Sequence, residues 1–477
     1  MRFSAAIIRR TLFLAFPLLF LLSLFLVSCG AKHDGDAGSR AASDAGRSGP
    51  VRMMKLPPSA PDVSTESEVR APEASEAPSG YADESSGFGP APRLSMSEPR
   101  MSSSRKRTST STPESPGSGQ LTAGEWNDLR EWDFWRSLEG RSDLSGEQEQ
   151  SFDGWGFRSD ARVAVTVVSN GRPRVDVPVK LFDGDEEIWE ARTDVRGEAE
   201  LFARMTESGS NNESGQYRVQ VGEGQMSRTA LVTPGSVRRT RIEIPSSQSA
   251  SATSNTIDVM FVIDATGSMG DEMEYLKSEL GDVVARVSRR VGTQREIRLS
   301  SNYYRDHDDE YLVRSFPFTT RIESVLQQMA GQSADGGGDI PEAVESGLAD
   351  ALEKHDWSRS ATTRLLFLVL DAPPHQTPAV AREIQRLTEL AALKGVRIIP
   401  VASSGIEKPT EFFLRNLAIM TGGTYVFLTN HSGIGNDHIE PTIGEYKVEF
   451  LDDLIERLIV QYSTMVVPMS EEGAGLR

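Results

Sequence analysis

The amino-acid sequence predicts a C-terminal α/β domain, in which a mostly parallel central sheet is flanked by helices, preceded by a small all-β domain and a disordered linker. Three observations carry this prediction. Helical patterns alternate with continuous apolar runs from residue 256 onward, short segments of alternating polarity fill residues 161–246, and Ser, Pro, Gly and Ala occupy 50 of the 90 positions from residue 31 to 120. The chain therefore divides into a flexible N-terminal part and two folded parts.

The composition argues against several classes of function. The 477 residues carry 51 Lys and Arg against 69 Asp and Glu, so the formal net charge is −18. This charge argues against a nucleic-acid binder, because contacts to phosphates need a basic surface. The single cysteine excludes an internal disulfide, a cysteine-ligated structural zinc site and a cysteine redox pair.

Residues 1–28 have the pattern of an export signal. Three arginines precede an apolar run from Leu12 to Val27, and Ser28 and Cys29 follow it. The residues Leu-Val-Ser-Cys that end at Cys29 resemble the lipobox of bacterial lipoproteins, which implies cleavage before Cys29 and a diacylglycerol on its thiol. The alternative is an uncleaved membrane anchor, since the run is barely long enough to span a bilayer.

Either alternative places the rest of the chain outside the cytoplasm. We therefore expect a protein of the cell envelope, held to a membrane through the lipid on Cys29. Gly30 follows the cysteine in place of an aspartate, which favours the outer membrane or the cell surface over the inner membrane.

Residues 29–120 form the predicted linker. Large apolar residues are few there and follow no period, so the stretch cannot bury enough surface to offset the ordering of its backbone. We expect a flexible, partly extended tether. A short C-terminal tail, residues 466–477, follows the last predicted domain.

Residues 121–160 are a connecting segment rich in tryptophan. Leu129, Trp132 and Trp135 follow helical spacing, which predicts a short amphipathic helix that docks its indole rings on a neighbouring domain. The alternative is a hot spot for binding a partner, since tryptophan is enriched at such sites.

Residues 161–246 predict a small β-sandwich. Segments of alternating polarity flank the turn pair Asn170-Gly171, a strong hairpin signal. The predicted strands are 162–167, 175–181, 186–192, 197–203, 216–222, 227–232 and 239–244, a number and spacing typical of sandwiches. Residues 193–198, Thr-Asp-Val-Arg-Gly-Glu, resemble a turn of carboxypeptidase-regulatory-like and related bacterial Ig-like domains. The resemblance implies a spacer or binding module without chemistry of its own.

Residues 256–465 carry the α/β pattern. The predicted strands are 256–263, 296–304, 311–318, 365–370, 396–402 and 424–428. A helix follows Gly270, and further helices are predicted at 340–355, 377–394, 409–420 and 447–463.

Two of these strands are followed directly by an aspartate. Asp264 follows the first strand and Asp371 the fourth, and open parallel sheets bind ligands at the carboxyl ends of their strands. Thr266 and Ser268 follow Asp264 at alternate positions, so that one loop can direct three side chains to one point. Carboxylate and hydroxyl oxygens are hard ligands, which suit Mg²⁺, Ca²⁺ or Mn²⁺.

Together with Gly336–Glu342 and residues 370–375, Leu-Asp-Ala-Pro-Pro-His, these loops resemble the metal-ion-dependent adhesion site (MIDAS) of von Willebrand factor type A (VWA) domains. The resemblance covers residues 256–465. It implies a Rossmann-like fold and a bound divalent cation, with Mg²⁺ expected first and Ca²⁺ or Mn²⁺ as alternatives.

The resemblance also implies a set of metal ligands. Thr266 and Ser268 would supply hydroxyl oxygens, and Asp264 and Asp371 would bind directly or through water. Asp339 stands where the family often has threonine. This extra carboxylate would lower the net positive charge of the bound ion, and with it the attraction for an acidic ligand.

Two further features near this site involve histidine. Arg305–Asp309 places His307 among carboxylates, and we favour a solvated acidic loop there over a second metal site. His375 lies four residues after Asp371, where it is placed to hydrogen-bond the ligand shell or a partner.

These observations lead to three hypotheses of function. We expect a lipid-anchored binding protein, not an enzyme, whose VWA domain uses the cation to capture an acidic residue of a protein partner. No small-molecule substrate is expected. The alternative is a structural scaffold of the envelope with a vestigial metal site. A metal-dependent hydrolase is disfavoured, because the sequence offers no nucleophile or base with a defined partner.

Overall fold

The computed structural model describes residues 119–139, 155–203, 215–235, 238–245, 255–290, 295–338, 340–435 and 437–464. The signal sequence with Cys29, nearly all of the linker, the C-terminal tail and Asp339 lie outside these ranges. Within the described ranges, every helix is too short or too polar to cross a bilayer.

The elements alternate between helices and strands in the C-terminal half. In chain order they are β1 (Thr122–Trp126), α1 (Trp132–Glu139), β2 (Arg162–Ser169), β3 (Arg172–Pro173), β4 (Pro178–Asp183), β5 (Glu186–Arg192), β6 (Glu198–Phe202), β7 (Tyr217–Val221), β8 (Arg228–Val232), β9 (Thr240–Glu243), β10 (Thr256–Asp264), α2 (Gly270–Arg290), β11 (Glu296–Tyr304), β12 (Val313–Arg314), α3 (Ile322–Ala330), α4 (Val344–Ala349), β13 (Thr363–Leu370), α5 (Pro378–Lys394), β14 (Val396–Ala402), α6 (Lys408–Thr421), β15 (Tyr425–Leu428), β16 (Glu449–Phe450) and α7 (Leu451–Ser463).

The central sheet has eight strands in the order β12–β11–β10–β13–β14–β15–β1–β16. The five middle strands from β11 to β15 pair in parallel. The strands β12, β1 and β16 pair antiparallel with their neighbours. The predicted α/β fold is thus confirmed, with a mixed sheet at its centre.

The strand β10 is buried on both faces of this sheet. Met260 and Val262 belong to the apolar cluster that includes α4, α5 and α6, whereas Val259 and Phe261 belong to the cluster that includes α2 and α7. Because successive side chains of a strand point to opposite faces, helices cover both sides of the sheet. This arrangement directs a ligand to the edge formed by the carboxyl ends of the strands.

The strand β1 belongs to the central sheet although it lies outside residues 256–465, the range predicted for the α/β domain. Ala123 pairs with Leu428 in β15, so the tryptophan-rich segment completes the sheet. A Cβ on Gly124 would lie 2.5 Å from the ring of Phe427, which explains the small residue at this position. The side chain of Glu279 on α2 accepts hydrogen bonds from three successive backbone N–H groups, those of residues 119–121, and so holds the start of this strand.

The helix α1 lies in the tryptophan-rich segment and packs on α6. The indole of Trp135 is fully buried, with its ring centroid 6.2 Å from that of Phe412. Its Nε1 donates to Ser159 over 2.7 Å. The side chain thus ties the helix both to α6 and to the start of the all-β region.

The all-β region is inserted between β1 and β10. It forms two four-stranded sheets, one in the order β3–β2–β6 with β9 beside β2, the other in the order β5–β4–β7–β8. Asn170 and Gly171 have φ angles of 52° and 73°, as a tight turn between β2 and β3 requires. Val165 from one sheet and Leu181 from the other are fully buried in the same apolar cluster.

The all-β region and the domain that contains the central sheet share polar contacts as well as this apolar cluster. Asp176 accepts from Arg192 of its own region over 2.6 Å and from Arg364 of β13 over 2.9 Å. Gln385 on α5 donates to the backbone oxygen of Trp155 over 2.8 Å. The inserted region is therefore fixed to the side of the sheet that carries α5.

Three predicted elements differ from the observed ones. The strand predicted at 311–318 is reduced to the two residues of β12. The helix predicted at 340–355 begins at Val344 and continues into one π-helical turn over 350–354, because the preceding residues pair with the loop after β13. The helix predicted at 447–463 begins at Leu451, since β16 pairs with β1 just before it.

Candidate metal centre

The first loop of the site follows β10 directly. Asp264 is fully buried at the end of that strand, and its Oδ1 accepts from the Thr266 hydroxyl over 2.7 Å and from the Thr266 backbone N–H over 2.9 Å. The hydroxyls of Thr266 and Ser268 are 3.2 Å apart. The loop therefore gathers one carboxylate and two hydroxyls at one point, as the alternate spacing predicts.

The second loop is fastened to the first by the backbone. The N–H of Gly267 donates to the oxygen of Gly336 over 2.9 Å, and the N–H of Gly337 donates to the carboxylate of Asp309. Gly336 has a φ of 74°, and a Cβ there would lie 2.1 Å from Asp309 Oδ1. Glycine is required at this position both by its backbone angle and by the close approach.

The third loop follows β13 and carries Asp371, which is 8% exposed. The backbone N–H of Glu342 donates to the oxygen of Pro373 over 3.0 Å, and this bridge brings the second and third loops together. It also places the carboxylate of Glu342, itself 2% exposed, next to the site. Three loops from distant parts of the chain thus share one edge of the sheet.

Burial and mutual repulsion raise the pKa of all three carboxylic acids. Burial raises the pKa of Asp264 to about 6, although the two hydrogen bonds from Thr266 act in the opposite direction. Burial and the charge of Asp264 raise the pKa of Asp371 to about 7. Burial and the neighbouring aspartates raise the pKa of Glu342 to about 8. Each negative charge at this edge therefore makes the next one less favourable.

The same carboxylates have oxygen atoms that lack a partner. Asp264 Oδ2, Asp371 Oδ1 and Glu342 Oε2 are buried without a hydrogen bond of normal geometry, although the hydroxyls of Tyr304 and Ser268 approach Asp264 and Asp371. Within the described part of the chain no lysine or arginine forms an ion pair with these three residues. Buried oxygens of this kind normally have a partner. A hard divalent cation would satisfy them, because carboxylate and hydroxyl oxygens are its usual ligands. The residues present fit such an ion.

The structure brings together four of the five predicted ligands, namely Asp264, Thr266, Ser268 and Asp371. Asp339, the fifth, lies outside the described residues. Glu342 is the residue that the sequence analysis missed as a member of the cluster. It stands three positions after Asp339 in the motif Gly336–Glu342. The sequence predicts a helix over residues 340–355, so Glu342 is not expected among the site residues.

His307 lies in an exposed loop, as predicted, but both histidines near the site contact carboxylates. His375 Nε2 lies 2.7 Å from Asp306 Oδ1, so His375 contacts Asp306 and not Asp371. His307 Nε2 lies 3.3 Å from Glu345 Oε1. Asp309 accepts from the backbone of Gly337, which makes it a support of the second loop.

Comparison with known families identifies the C-terminal region. Residues 258–430 match the family model described as the von Willebrand factor A domain, and the matched stretch contains Asp264, Thr266, Ser268 and Asp371. The chain therefore contains a VWA domain.

Two curated proteins are similar to this chain over part of its length. A putative ariadne-like RING finger protein of Acanthamoeba polyphaga mimivirus is 26% identical over 188 residues, which are 36% of this chain and 18% of that protein. The alpha-protein kinase vwkA of Dictyostelium discoideum is 28% identical over 134 residues, which are 26% of this chain and 20% of that protein. The chain thus spans about a fifth of the length of the curated relatives it matches.

Solved structures with partial similarity include a conserved hypothetical protein, BatB, from Bacteroides thetaiotaomicron. It is 12% identical, the match covers 43% of this chain and 98% of that chain, and the TM-score is 0.31. Proximal thread matrix protein 1 from the mussel byssus, solved with a zinc-occupied MIDAS motif, is 17% identical over 36% of this chain and 41% of its own, with a TM-score of 0.28.

Proposed function

We propose that the VWA domain of this chain binds a divalent cation at the edge of its sheet and captures an acidic side chain of a protein partner there. The observation that carries the proposal is the set of buried carboxylate oxygens without partners on Asp264, Asp371 and Glu342. Buried, unpaired negative charge is costly in a folded protein. A cation shared by the three loops would offset that cost.

Asp264, Thr266, Ser268 and Asp371 would hold the ion, with Asp339 as a further ligand proposed from the sequence. When bound, the ion supplies a Lewis-acidic coordination position for an oxygen of the partner. The Thr266 hydroxyl and N–H both donate to Asp264 Oδ1. They orient that carboxylate, and its second oxygen stays available.

The chain's own residues also control how strongly an anion is attracted. Glu342 is not one of the four ligands, and it adds negative charge beside Asp264 only when the pH rises above its pKa of about 8, whereas Asp306 is a further neighbouring carboxylate. Each extra carboxylate lowers the net positive charge at the site. Because the ligand atoms are carboxylate and hydroxyl oxygens, we propose Mg²⁺ as the first candidate ion, with Ca²⁺ or Mn²⁺ as alternatives, and a partner contact that depends on the ion.

The direct test is metal binding to the full-length protein measured by calorimetry with Mg²⁺ and Mn²⁺. Asp264→Ala should abolish the binding, because it removes the buried carboxylate at the centre of the loop. Asp308→Ala, an exposed aspartate on the neighbouring loop, is the matched control and should bind as the parent does. Equal binding by both variants would disprove the proposed centre.

Partner capture is tested separately, by affinity isolation from native membranes with and without EDTA. We expect captured protein that is lost with EDTA, restored by Mg²⁺ and absent with Asp264→Ala. Capture that is indifferent to chelator and to the substitution would favour the alternative, a structural scaffold with a vestigial ion site.

We further propose that the chain is a lipoprotein of the cell envelope and not an enzyme. The lipobox at Cys29 supports the first part, and the lack of a nucleophile with a paired base in the sequence supports the second. Metabolic labelling with palmitate should mark the parent and not Cys29→Ser. A hydrolase screen with Mg²⁺ or Mn²⁺ should show no activity that Asp371→Ala removes.

A further inference from the structure

We propose a second metal site, distinct from the candidate MIDAS, at which Asp306, His307 and His375 bind a transition-metal ion, with Zn²⁺ as the first candidate. Asp306 and His307 lie in the loop that follows β11, and His375 lies in the loop that follows β13. The site therefore forms where these two loops meet.

The geometry of the three side chains supports this site. One ligand atom from each residue lies within 4.8 Å of the other two. His375 Nε2 and Asp306 Oδ1 are 2.7 Å apart, and the two imidazole ring centroids are 5.5 Å apart. Around tetrahedral Zn²⁺ with bonds of about 2.0–2.1 Å, neighbouring ligand atoms are about 3.3 Å apart. Small side-chain rotations would bring the three atoms to that spacing.

The exposed side chain of His307 is the one with room to make that adjustment. The side chain of His307 is 52% exposed, whereas that of Asp306 is 17% exposed. His307 can therefore turn toward His375 without disturbing packing, and Asp306 is a fixed point. Metal would replace the direct contact between Asp306 and His375.

Glu345 at the start of α4 provides a second, independent observation. It is 7% exposed, its Oε1 lies 3.3 Å from His307 Nε2, and its Oε2 is buried without a partner. This buried carboxylate beside His307 is a candidate fourth ligand, and a side-chain rotation would have to bring its oxygens to the cluster that the other three residues form. With Glu345 the set would be two imidazoles and two carboxylates, the number of ligands that tetrahedral Zn²⁺ takes.

The ligand chemistry separates this site from the neighbouring one. Imidazole nitrogen suits zinc, copper and nickel, whereas the Asp264 loop offers oxygen atoms that suit magnesium or manganese. In a mixture of ions, the histidine site should therefore bind Zn²⁺ and the Asp264 site Mg²⁺. The loss of each bound ion can be measured separately.

The test is a titration of tag-free, full-length protein with Zn²⁺ in saturating Mg²⁺, followed by calorimetry, with Co²⁺ as a spectroscopic substitute. We expect one Zn²⁺ per chain and a visible Co²⁺ spectrum of the tetrahedral type. His307→Ala and His375→Asn should each weaken Zn²⁺ binding by at least about 100-fold, since even the loss of a residue that only orients a ligand costs about 10- to 100-fold. Both should leave Mg²⁺ binding unchanged. His431→Ala, an exposed histidine elsewhere, is the matched control and should change neither.

The variants also report whether the two centres are separate. Asp264→Ala should lose Mg²⁺ binding and keep the Co²⁺ spectrum. Zn²⁺ affinity within twofold of the parent in both histidine variants would overturn the proposal, as would loss of the Co²⁺ spectrum in Asp264→Ala with the histidines intact. Failure of Mg²⁺ binding alone would count against the proposed adhesion function and not against this site.

Discussion

The carboxylate of Asp128 accepts two hydrogen bonds from the guanidinium of Arg415, over 2.6 and 3.0 Å, although 287 positions separate the two residues. Both side chains are almost completely buried, and Glu411 lies 3.0 Å from the same guanidinium. The pair fastens the connection between β1 and α1 to α6. A two-point ion pair of this kind is strong but demands that both partners be present.

Removing Asp128 should therefore destabilise the whole domain. We expect Asp128→Ala to lower the free energy of unfolding by about 3 kcal/mol, the lower end of the usual range because Glu411 still contacts Arg415. Chemical denaturation measures this change. Asp133→Ala, an exposed aspartate in the first turn of α1, should cost less than about 1 kcal/mol. Equal losses in the two variants would show that the buried pair is not stabilising.

The glycines of the second loop offer a matched pair for the metal site. Gly336→Ala should weaken Mg²⁺ binding strongly, because its φ is 74° and the new Cβ would lie 2.1 Å from Asp309 Oδ1. Gly338→Ala should leave binding nearly unchanged, since a Cβ there meets nothing within 4 Å. Calorimetry measures the Mg²⁺ affinity of both variants. Normal binding by Gly336→Ala would mean that this loop does not shape the centre.

Charge repulsion among the site carboxylates predicts opposite effects with and without metal. In EDTA at a pH above 7, where the Asp371 carboxylate is charged, Asp371→Asn should raise the melting temperature, because it removes one of the negative charges that face each other there. With Mg²⁺ in excess the same variant should gain less stability from the ion than the parent does. Thermal unfolding under the two conditions tests both signs. A variant that is less stable in EDTA would contradict the picture of unbalanced negative charge.

The all-β region has a pH-dependent ion pair of its own. Glu200 is 6% exposed. Burial alone would raise the pKa of this group, but the charges of Arg162 and Arg239 outweigh burial, and the pKa lies below its ordinary value of 4.5. Since the pKa is lowered on folding, the charged carboxylate stabilises the protein above pH 4.5. This contribution is lost as the pH falls through the folded value.

Glu200→Gln should accordingly be less stable than the parent at pH 7 by about 3 kcal/mol, because the buried Arg162 and the partly exposed Arg239 lose their charge partner. The difference should shrink below pH 4.5. Urea unfolding at several pH values between 3.5 and 7 measures it, with Glu186→Gln, exposed at the start of β5, as control. A difference that is constant over this range would argue against the charge of Glu200 as its cause.

Local patterns predict the centre of the sheet but not its far edge. The apolar run of β10 and the aspartate at its end are visible within nine residues, so both the strand and Asp264 can be predicted. No local pattern indicates β1, because Ala123 and Gly124 suit a strand only through Phe427, about 300 positions away. Glu342 is similar, since its place beside Asp264 depends on a backbone hydrogen bond to Pro373.

The insertion of the all-β region between β1 and β10 also affects the order in which the chain folds during synthesis. Thr122 bonds to Thr429, 307 positions later, so β1 leaves the ribosome roughly 15 to 60 s before its neighbour at usual elongation rates. During that interval the intervening sheets can finish folding, while the first strand waits unpaired. The central sheet is thus completed late in the synthesis of the chain. A truncated product that lacks β15 would leave β1 unpaired, and an unpaired strand edge is prone to aggregation.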